Sequence, residues 1–181
     1  LRTQLGVVPQ EPFLFYGTIR DNVAFAKPNA TDDEIHEAIA HVGLSETVSH
    51  LADGVDTLVH ERGVSLSAGE RQLIALARAF MARPRVLVLD EATSSLDLHS
   101  EAQIETALDG LLEGRTAVLI AHRLATAMKA DRIAVVDDGR IVELGSHAEL
   151  VKLGGRYAEM FATWSSHSES DKDSSVERLS D

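Results

Sequence analysis

The stretch that decides the fold is Val86-Leu87-Val88-Leu89-Asp90-Glu91, in which four apolar residues are followed by two carboxylates. Pro84 lies just before it, and so short an apolar run predicts a fully buried strand of a parallel sheet. Parallel α/β sheets bind their ligands at the carboxyl ends of the strands. Asp90 and Glu91 are therefore expected where a phosphate-bound Mg²⁺ and an attacking water would lie. A buried strand followed by a polar helix start would give the same pattern.

The composition is that of a globular domain. The chain has 181 residues, of which 44% are hydrophobic and 25% are charged, enough for one domain with a core of its own. The formal net charge of −12 argues against non-specific binding to nucleic acid or to anionic lipid.

Several features bear on location and completeness. The sequence has no cysteine, which excludes disulfides and thiolate metal sites and fits a cytosolic location. No apolar run approaches the roughly 18 residues of a membrane span, and no signal peptide is visible. The chain begins at Leu1 rather than Met, close to a strand, so we expect it to be a piece of a longer protein.

Two further apolar strands end in polar residues. Leu5–Val8 is followed by Gln10, and Thr116–Ile120, interpreted as another buried strand, is followed by His122. In a parallel sheet these ends share one edge with Asp90. The combination predicts a site for phosphoryl transfer to water.

The chemistry of such a site assigns a role to each side chain. Asp90 would hold Mg²⁺ through a water, Glu91 would polarise the attacking water, and His122 would contact the γ-phosphate. Gln10 would contact the Mg²⁺ or the water. The alternative is that Gln10 is an ordinary loop residue and His122 a histidine satisfied within the fold.

Helix starts are marked by three capping boxes, namely Thr31 with Glu34, Ser67 with Glu70, and Ser146 with Glu149. The second opens the longest helix, which ends before Pro84. Gly69 lies in its first turn at a cost of about 1 kcal/mol relative to Ala, so we expect something to approach its backbone closely. Helix N-termini also bind phosphate.

Other local signals complete the secondary structure. Asp97 is expected to cap a helix from Leu98 to about Leu112, and residues 137–139 (Asp-Asp-Gly) predict a type I′ hairpin. The last helix is expected from Arg156 to Trp164. Residues 165–181, rich in Ser and acidic residues, are expected to be a disordered tail.

An aromatic-rich stretch follows the first strand. Phe13, Phe15, Tyr16 and Phe25 are four of the eight aromatic residues of the chain. They fill a small satellite core in one interpretation, and in another they form a surface that receives a helix of a partner.

The order of these motifs resembles the nucleotide-binding domain of an ATP-binding cassette (ABC) transporter. The segments that carry the resemblance are Gln10, Leu66-Ser67-Ala68-Gly69-Glu70, Val86–Glu91, Ser95-Leu96-Asp97 and His122. They are similar, in turn, to the Q-loop, the signature motif, Walker B with the catalytic Glu, the D-loop and the switch histidine of that family. Glu61-Arg62-Gly63 and the stretch 15–22 resemble loops of its exporter-type members.

The resemblance implies a fold and a domain organisation. The fold is α/β, a parallel sheet of the P-loop NTPase type with an inserted helical subdomain. Residues 1–164 would be part of the ATPase domain, with the helical subdomain at about 18–84 and the catalytic core and C-terminal helices at 85–164. Residues 165–181 would be the tail.

The sequence departs from the family pattern in two places. Ala68 and Glu70 replace the commoner Gly and Gln of the signature, whereas Ser67 and Gly69 are kept. None of the four lysines stands in a G-x-x-x-x-G-K-[ST] loop, so the phosphate-cradling loop is expected upstream of Leu1. The strand entering that loop is then missing too, which should leave apolar sheet surface exposed. We therefore expect the chain alone to be marginally stable and inactive.

The resemblance also implies a function. It predicts an Mg²⁺-dependent ATPase domain of an exporter at the cytoplasmic face of the cell membrane. Two such domains would meet head to tail, with Ser67, Ala68, Gly69, Glu70 and Asp97 of one facing ATP held by the other. The transmembrane domains of the transporter would be partners of this domain, and nucleic acid would not be a partner. The alternatives are a non-enzymatic interaction module of the same fold and a chromosome-maintenance or repair ATPase. Such an ATPase carries a long coiled coil between the Q-loop and the signature, whereas only 55 residues lie between Gln10 and Leu66 and they show no heptads.

Overall fold

The computed structural model describes residues 4–59, 66–90, 97–121 and 124–177, without the side chains of Leu98 and of residues 167–177. The chain divides into two compact units, Leu1–Ile120 and Ala121–Asp181.

A parallel sheet of three strands forms the centre of the first unit. Strand β4 (Val86–Asp90) lies between β1 (Leu5–Val8) and β5 (Thr116–Ile120), and both neighbours run parallel to it. Leu5 pairs with Val86, which in turn pairs with Thr116, so the three strands start level. The predicted α/β fold with a parallel sheet is confirmed.

The sheet is buried on one face only, which corrects the prediction of two fully buried strands. Leu87 and Leu89 of β4 are buried, but Val86 and Val88, which alternate with them, are only half-buried. Val118 and Ile120 of β5 are exposed. Successive side chains of a strand point to opposite faces, so an apolar run is fully buried only where both faces are covered.

Helices and two short strands fill the rest of the first unit. They are β2 (Gly17–Thr18), α1 (Ile19–Ala24), α2 (Asp32–His41), α3 (Ser45–Ser49), a 3₁₀ helix (Gly54–Asp56), β3 (Leu58–Val59), α4 (Ala68–Ala82) and α5 (Leu98–Leu112). Strands β2 and β3 pair antiparallel. The buried face of the sheet belongs to one core with α4, whose Leu73, Leu76 and Ala77 are buried.

Capping boxes start four of the described helices. The three predicted capping boxes are present, and a fourth, in which Thr18 caps α1 with Asp21, was not predicted. Each satisfies backbone N–H groups that the first turn of a helix leaves without an intrahelical partner.

The second unit is built on a hairpin. Strands β6 (Ile133–Asp137) and β7 (Arg140–Gly145) pair antiparallel, and Asp138 and Gly139 between them have φ of 46° and 71°. Two positive φ values are those of the predicted type I′ turn. Helices α6 (Leu124–Met128), α7 (His147–Leu153) and α8 (Arg156–Glu177) complete the unit.

Helix α8 ends later than the sequence analysis expects. It continues through residues 165–177, where the start of a disordered tail is predicted, because neither Gly nor Pro interrupts the chain between Arg156 and Glu177. Its first turn is fixed by Glu143 of β7, whose carboxylate accepts from the backbone N–H groups of Arg156 (2.5 Å) and Tyr157 (3.1 Å). The domain boundaries, including that of the tail, stay a prediction.

Candidate functional site

The carboxyl ends of β1 and β4 lie side by side at one edge of the sheet. Val8 pairs with Leu89, so Gln10, two residues after β1, and Asp90, the last residue of β4, follow neighbouring strands at the same edge. Gln10 is exposed and Asp90 is half-buried. Glu91 and His122, the predicted base and γ-phosphate contact, lie outside the described residues. The structure therefore brings two of the four predicted polar positions to one edge, and their roles stay predictions.

The residues at this edge offer oxygen ligands. A carboxylate from Asp90 and an amide oxygen from Gln10 are of the hard type that Mg²⁺ prefers, and Mg²⁺ commonly needs only one or two carboxylates beside substrate phosphates and water. Within the described ranges, no group of three or more His, Asp or Glu side chains is placed to hold a metal ion by itself. The donor set fits a cation brought in together with a phosphate ligand.

Helix α4 begins in the form that the capping box predicts. The backbone N–H of Ser67 donates to Glu70 Oε2 (2.7 Å), and the Glu70 N–H donates to Ser67 Oγ (3.1 Å). The Glu70 carboxylate is thus turned back onto its own cap. Ser67 and Ala68 are exposed, and the N–H groups of a first turn have no intrahelical acceptor.

The close approach expected at Gly69 comes from within the chain. Gly69 is buried, and a Cβ placed on it would lie 2.7 Å from Ser100 Oγ and 2.8 Å from Ser100 Cβ. Both distances are far below ordinary van der Waals contact. The first turn of α4 therefore abuts the first turn of α5, and a Cβ at position 69 would force one of the two to shift.

Asp97 caps α5, as predicted. Its Oδ1 accepts from the N–H groups of His99 (3.1 Å) and Ser100 (3.0 Å), and its Oδ2 accepts from Ser100 Oγ (2.7 Å). The backbone N–H of Ser100, and then its hydroxyl, hold the pKa of the Asp97 carboxyl below its usual value. Both carboxylate oxygens of Asp97 are thereby engaged within its own helix start.

The aromatic stretch after β1 forms a surface and not a satellite core, so that interpretation was wrong. Phe13, Phe15, Tyr16 and Phe25 are all exposed. The Phe15 ring stacks on Phe25 with the centroids 4.3 Å apart, and Phe13 meets Phe15 edge-on at 5.1 Å. We call these four residues the aromatic surface. So compact an exposed aromatic group is typical of a place where another protein element binds.

Arg78 of α4 holds the aromatic surface in place, and the sequence analysis missed it. Its guanidinium donates to the carbonyl oxygens of Phe13 (3.0 Å) and Asn22 (2.9 Å) and to Asn22 Oδ1 (3.0 Å), and lies over the rings of Phe15 and Phe25. Burial lowers the pKa of this guanidinium.

Asn22 is fully buried and completes the network. It donates to the carbonyl oxygens of Phe15 and Thr18, both at 3.0 Å, and accepts from the Phe15 N–H at 2.9 Å. Arg78 could have been found from the sequence, because it lies within the otherwise apolar run 73–81. A charged side chain that is buried there needs hydrogen-bond acceptors. No local signal pointed to Asn22.

Comparison with known proteins identifies the family. The sequence model of the ABC transporter family matches residues 1–94. The chain belongs to this family.

Individual relatives agree with this assignment. The chain is 52% identical to the ABC transporter ATP-binding protein YknV of Bacillus subtilis over 158 residues, which is 87% of this chain and 26% of that protein. It is 45% identical to ATP-binding cassette sub-family B member 6 of Xenopus tropicalis over 98% of this chain and 21% of that protein. It thus spans about a quarter of the length of such relatives.

A solved structure has the same fold. The structure of a bacterial Atm1-family ABC exporter with ATP bound matches with a TM-score of 0.82 and 40% identity, over 90% of this chain and 28% of that one. The α/β fold with its parallel sheet is therefore that of part of an ABC ATPase domain.

Proposed function

We propose that this chain is part of an ATP-binding and ATP-hydrolysing domain that powers export across a membrane. The observation that carries the proposal is the common edge of β1 and β4, where Gln10 and Asp90 follow neighbouring parallel strands. Ligand sites of parallel α/β sheets occupy this position. The exporter assignment is supported by the name of the structural neighbour and by relatives named putative multidrug export ATP-binding/permease proteins in Staphylococcus aureus.

The proposed reaction is attack of water on the γ-phosphate of ATP. Mg²⁺, when bound with ATP, would supply charge neutralisation at the phosphates. Asp90 would hold the metal through a water, with Gln10 contacting the metal or the attacking water. Glu91 would accept the proton of that water, and His122 would contact the γ-phosphate and orient the water.

The second part of the proposed site comes from another copy of the domain. Ser67 and Gly69 would approach ATP held by the Gly-rich loop of a partner domain, through the Ser67 hydroxyl and the N–H groups at the start of α4. Ala68 and Glu70 belong to the same turn, and Asp97 would lie at the same interface. The proposed assembly is therefore a head-to-tail pair of domains.

The proposed location is the cytoplasmic face of the cell membrane, beside transmembrane domains of the same transporter. Among the residues that the structure describes, none of the helices combines the length and the apolar character that a membrane crossing requires. The aromatic surface is the proposed contact with helices of those transmembrane domains, because it is exposed and is contacted by the guanidinium of Arg78.

We also propose that the chain by itself does not hydrolyse ATP. Residues 1–181 contain no Gly-rich phosphate loop, and the open face of the sheet leaves Leu5, Val7 and Val118 exposed. Without a Gly-rich loop, the chain lacks the backbone N–H groups that bind the β- and γ-phosphates. The open sheet face leaves apolar area unburied, which lowers stability. The chain alone is therefore expected to be marginally stable. Melting above about 50 °C, as is ordinary for mesophile domains, together with unaided ATP turnover would contradict this proposal.

The test is Mg-ATP turnover by the chain extended upstream far enough to include a Gly-rich loop. Glu91→Gln is expected to lower turnover at least about 100-fold, as loss of a positioned base does. The matched control is Glu113→Gln, an exposed carboxylate at the end of α5, which should leave turnover unchanged. An inert extended chain would overturn the catalytic assignment and favour the non-enzymatic module.

A further inference from the structure

We propose that Ser100 is a positioning residue, which fixes the start of α5 against the start of α4 and thereby holds Asp97 at a set distance from Ser67. This inference rests on the proposed function, because it concerns the two helix starts that would face a partner domain's nucleotide. ATP hydrolysis would then depend on the contact between the Ser100 side chain and Gly69.

The contact with α4 is close and directional. A Cβ on Gly69 would meet both the Oγ and the Cβ of Ser100 below 3 Å, whereas the next atom, Ser100 Cα, would be 3.9 Å away. Ser100 therefore occupies the space that any other side chain at position 69 would need. Without the Ser100 side chain, that space would be open.

The same side chain also holds Asp97. Ser100 donates to Asp97 Oδ1 from its backbone N–H and to Oδ2 from its hydroxyl. One residue thus touches the buried glycine of the α4 turn and orients the carboxylate that caps α5. A shift of α5 away from α4 would move Asp97 together with Ser100.

A rival explanation of Gly69 is that its missing Cβ lets phosphate approach the backbone. The two explanations differ for the double variant Gly69→Ala with Ser100→Gly. If the contact with Ser100 is the reason for glycine, the double variant regains what Gly69→Ala loses. If phosphate approach is the reason, the double variant folds and stays defective.

The first measurement is urea unfolding of this chain. We expect Gly69→Ala to lower the urea midpoint of unfolding, although Ala in place of Gly normally stabilises a helix. In the Ser100→Gly background the same change should lower the midpoint by less than about a quarter as much, because the clashing atoms are gone. In the Ser100→Ala background the loss should persist, since the Cβ remains.

Gly110→Ala is the matched control for specificity. Gly110 is a second helical glycine, where an added Cβ would lie 2.9 Å from His41 Nε2. Its effect on the midpoint should be the same with and without Ser100→Gly. Rescue of Gly110→Ala to the same extent, or no rescue of Gly69→Ala, would overturn the proposed contact.

The second measurement is ATP turnover by the upstream-extended chain. Gly69→Ala should lower kcat at least about 10-fold and leave KM within about 3-fold, since misplacement by about an ångström affects the reacting geometry more than ATP capture. The double variant should return to within about 3-fold of Ser100→Gly alone. Recovery of the midpoint without recovery of kcat would overturn the positioning role. No turnover by the unsubstituted, upstream-extended chain would instead refute the proposed function, while the unfolding measurement would still test the contact.

Discussion

The two faces of the parallel sheet have similar apolar residues and opposite surroundings. On the covered face, Leu87 is fully buried and lies in one core with Val8, Leu89 and the inner side of α4. On the open face, the neighbouring apolar side chains are half-buried or exposed, and Val118 is 53% accessible. The difference shows that an apolar strand does not by itself determine burial, which depends on the helices that pack against each face.

The largest effect is expected on the covered face. Leu87→Ala should lower the free energy of unfolding by about 2–5 kcal/mol, because it removes buried methyl groups and leaves a cavity. Urea unfolding monitored by circular dichroism gives this value. Val118→Ala, on the open face of the neighbouring strand, is the control and should lose less than about 1 kcal/mol. Equal losses would mean that both faces are buried in solution.

The next effect concerns the helix that covers the sheet. Arg78→Met should lower the free energy of unfolding by about 1–3 kcal/mol, because the carbonyl oxygens of Phe13 and Asn22 lose their donor. Urea unfolding measures it, and hydrogen exchange should show faster opening of residues 13–22.

Arg83→Met is the matched control for Arg78. Arg83 is exposed at the end of the same helix, and its Nη2 lies 3.9 Å from Glu37 Oε2. Its removal should change stability by less than about 0.5 kcal/mol. If the two arginines gave the same loss, the network around Asn22 would contribute nothing specific.

The start of the covering helix should contribute less. Ser67→Ala removes the acceptor of the Glu70 N–H and should lower the free energy of unfolding by about 1 kcal/mol. Ser67→Asp, which keeps a side-chain acceptor, should retain most of the stability. A Ser67→Asp variant as unstable as Ser67→Ala would contradict the capping role.

On the open face, polar substitution should leave stability nearly unchanged. Val7→Thr combined with Val118→Thr keeps β-branched side chains and should change the free energy of unfolding by less than about 0.5 kcal/mol. Sedimentation at rising protein concentration should show less self-association, because an exposed apolar patch is removed. A loss above 1 kcal/mol would show that another part of the chain covers this face.

The smallest effect is a dependence of stability on pH. Backbone and side-chain hydrogen bonds from Thr18 and from Ser100 hold the pKa values of Asp21 and Asp97 below the ordinary 3.8. A lowered pKa in the folded state means that the stabilisation is complete above the unfolded value and is lost as pH falls through the folded one. The urea midpoint should be flat from pH 7 to about 5 and fall below about 4. Asp97→Asn, which still caps a helix, should reduce this fall.

Much of the fold could be predicted because its signals lie within a few residues of one another. The three capping boxes, the Asp97 cap and the hairpin at Asp138 and Gly139 each depend on neighbours in the sequence. The placement of Gln10 and Asp90 at one edge followed from the rule that parallel strands end together. Within the site, however, the roles of Glu91 and His122 remain predictions.

The sequence by itself determined the strands of the parallel sheet, the hairpin, four of the helix caps and, through the order of its motifs, the family. Only the tertiary structure decided which face of the sheet is covered, that the aromatic residues lie on the surface around Arg78, and that Ser100 is what approaches Gly69. The physical reason is how far apart in the sequence the interacting residues lie. Caps and turns are satisfied by hydrogen bonds between near neighbours, whereas burial and close approach depend on which distant segments meet in the folded chain.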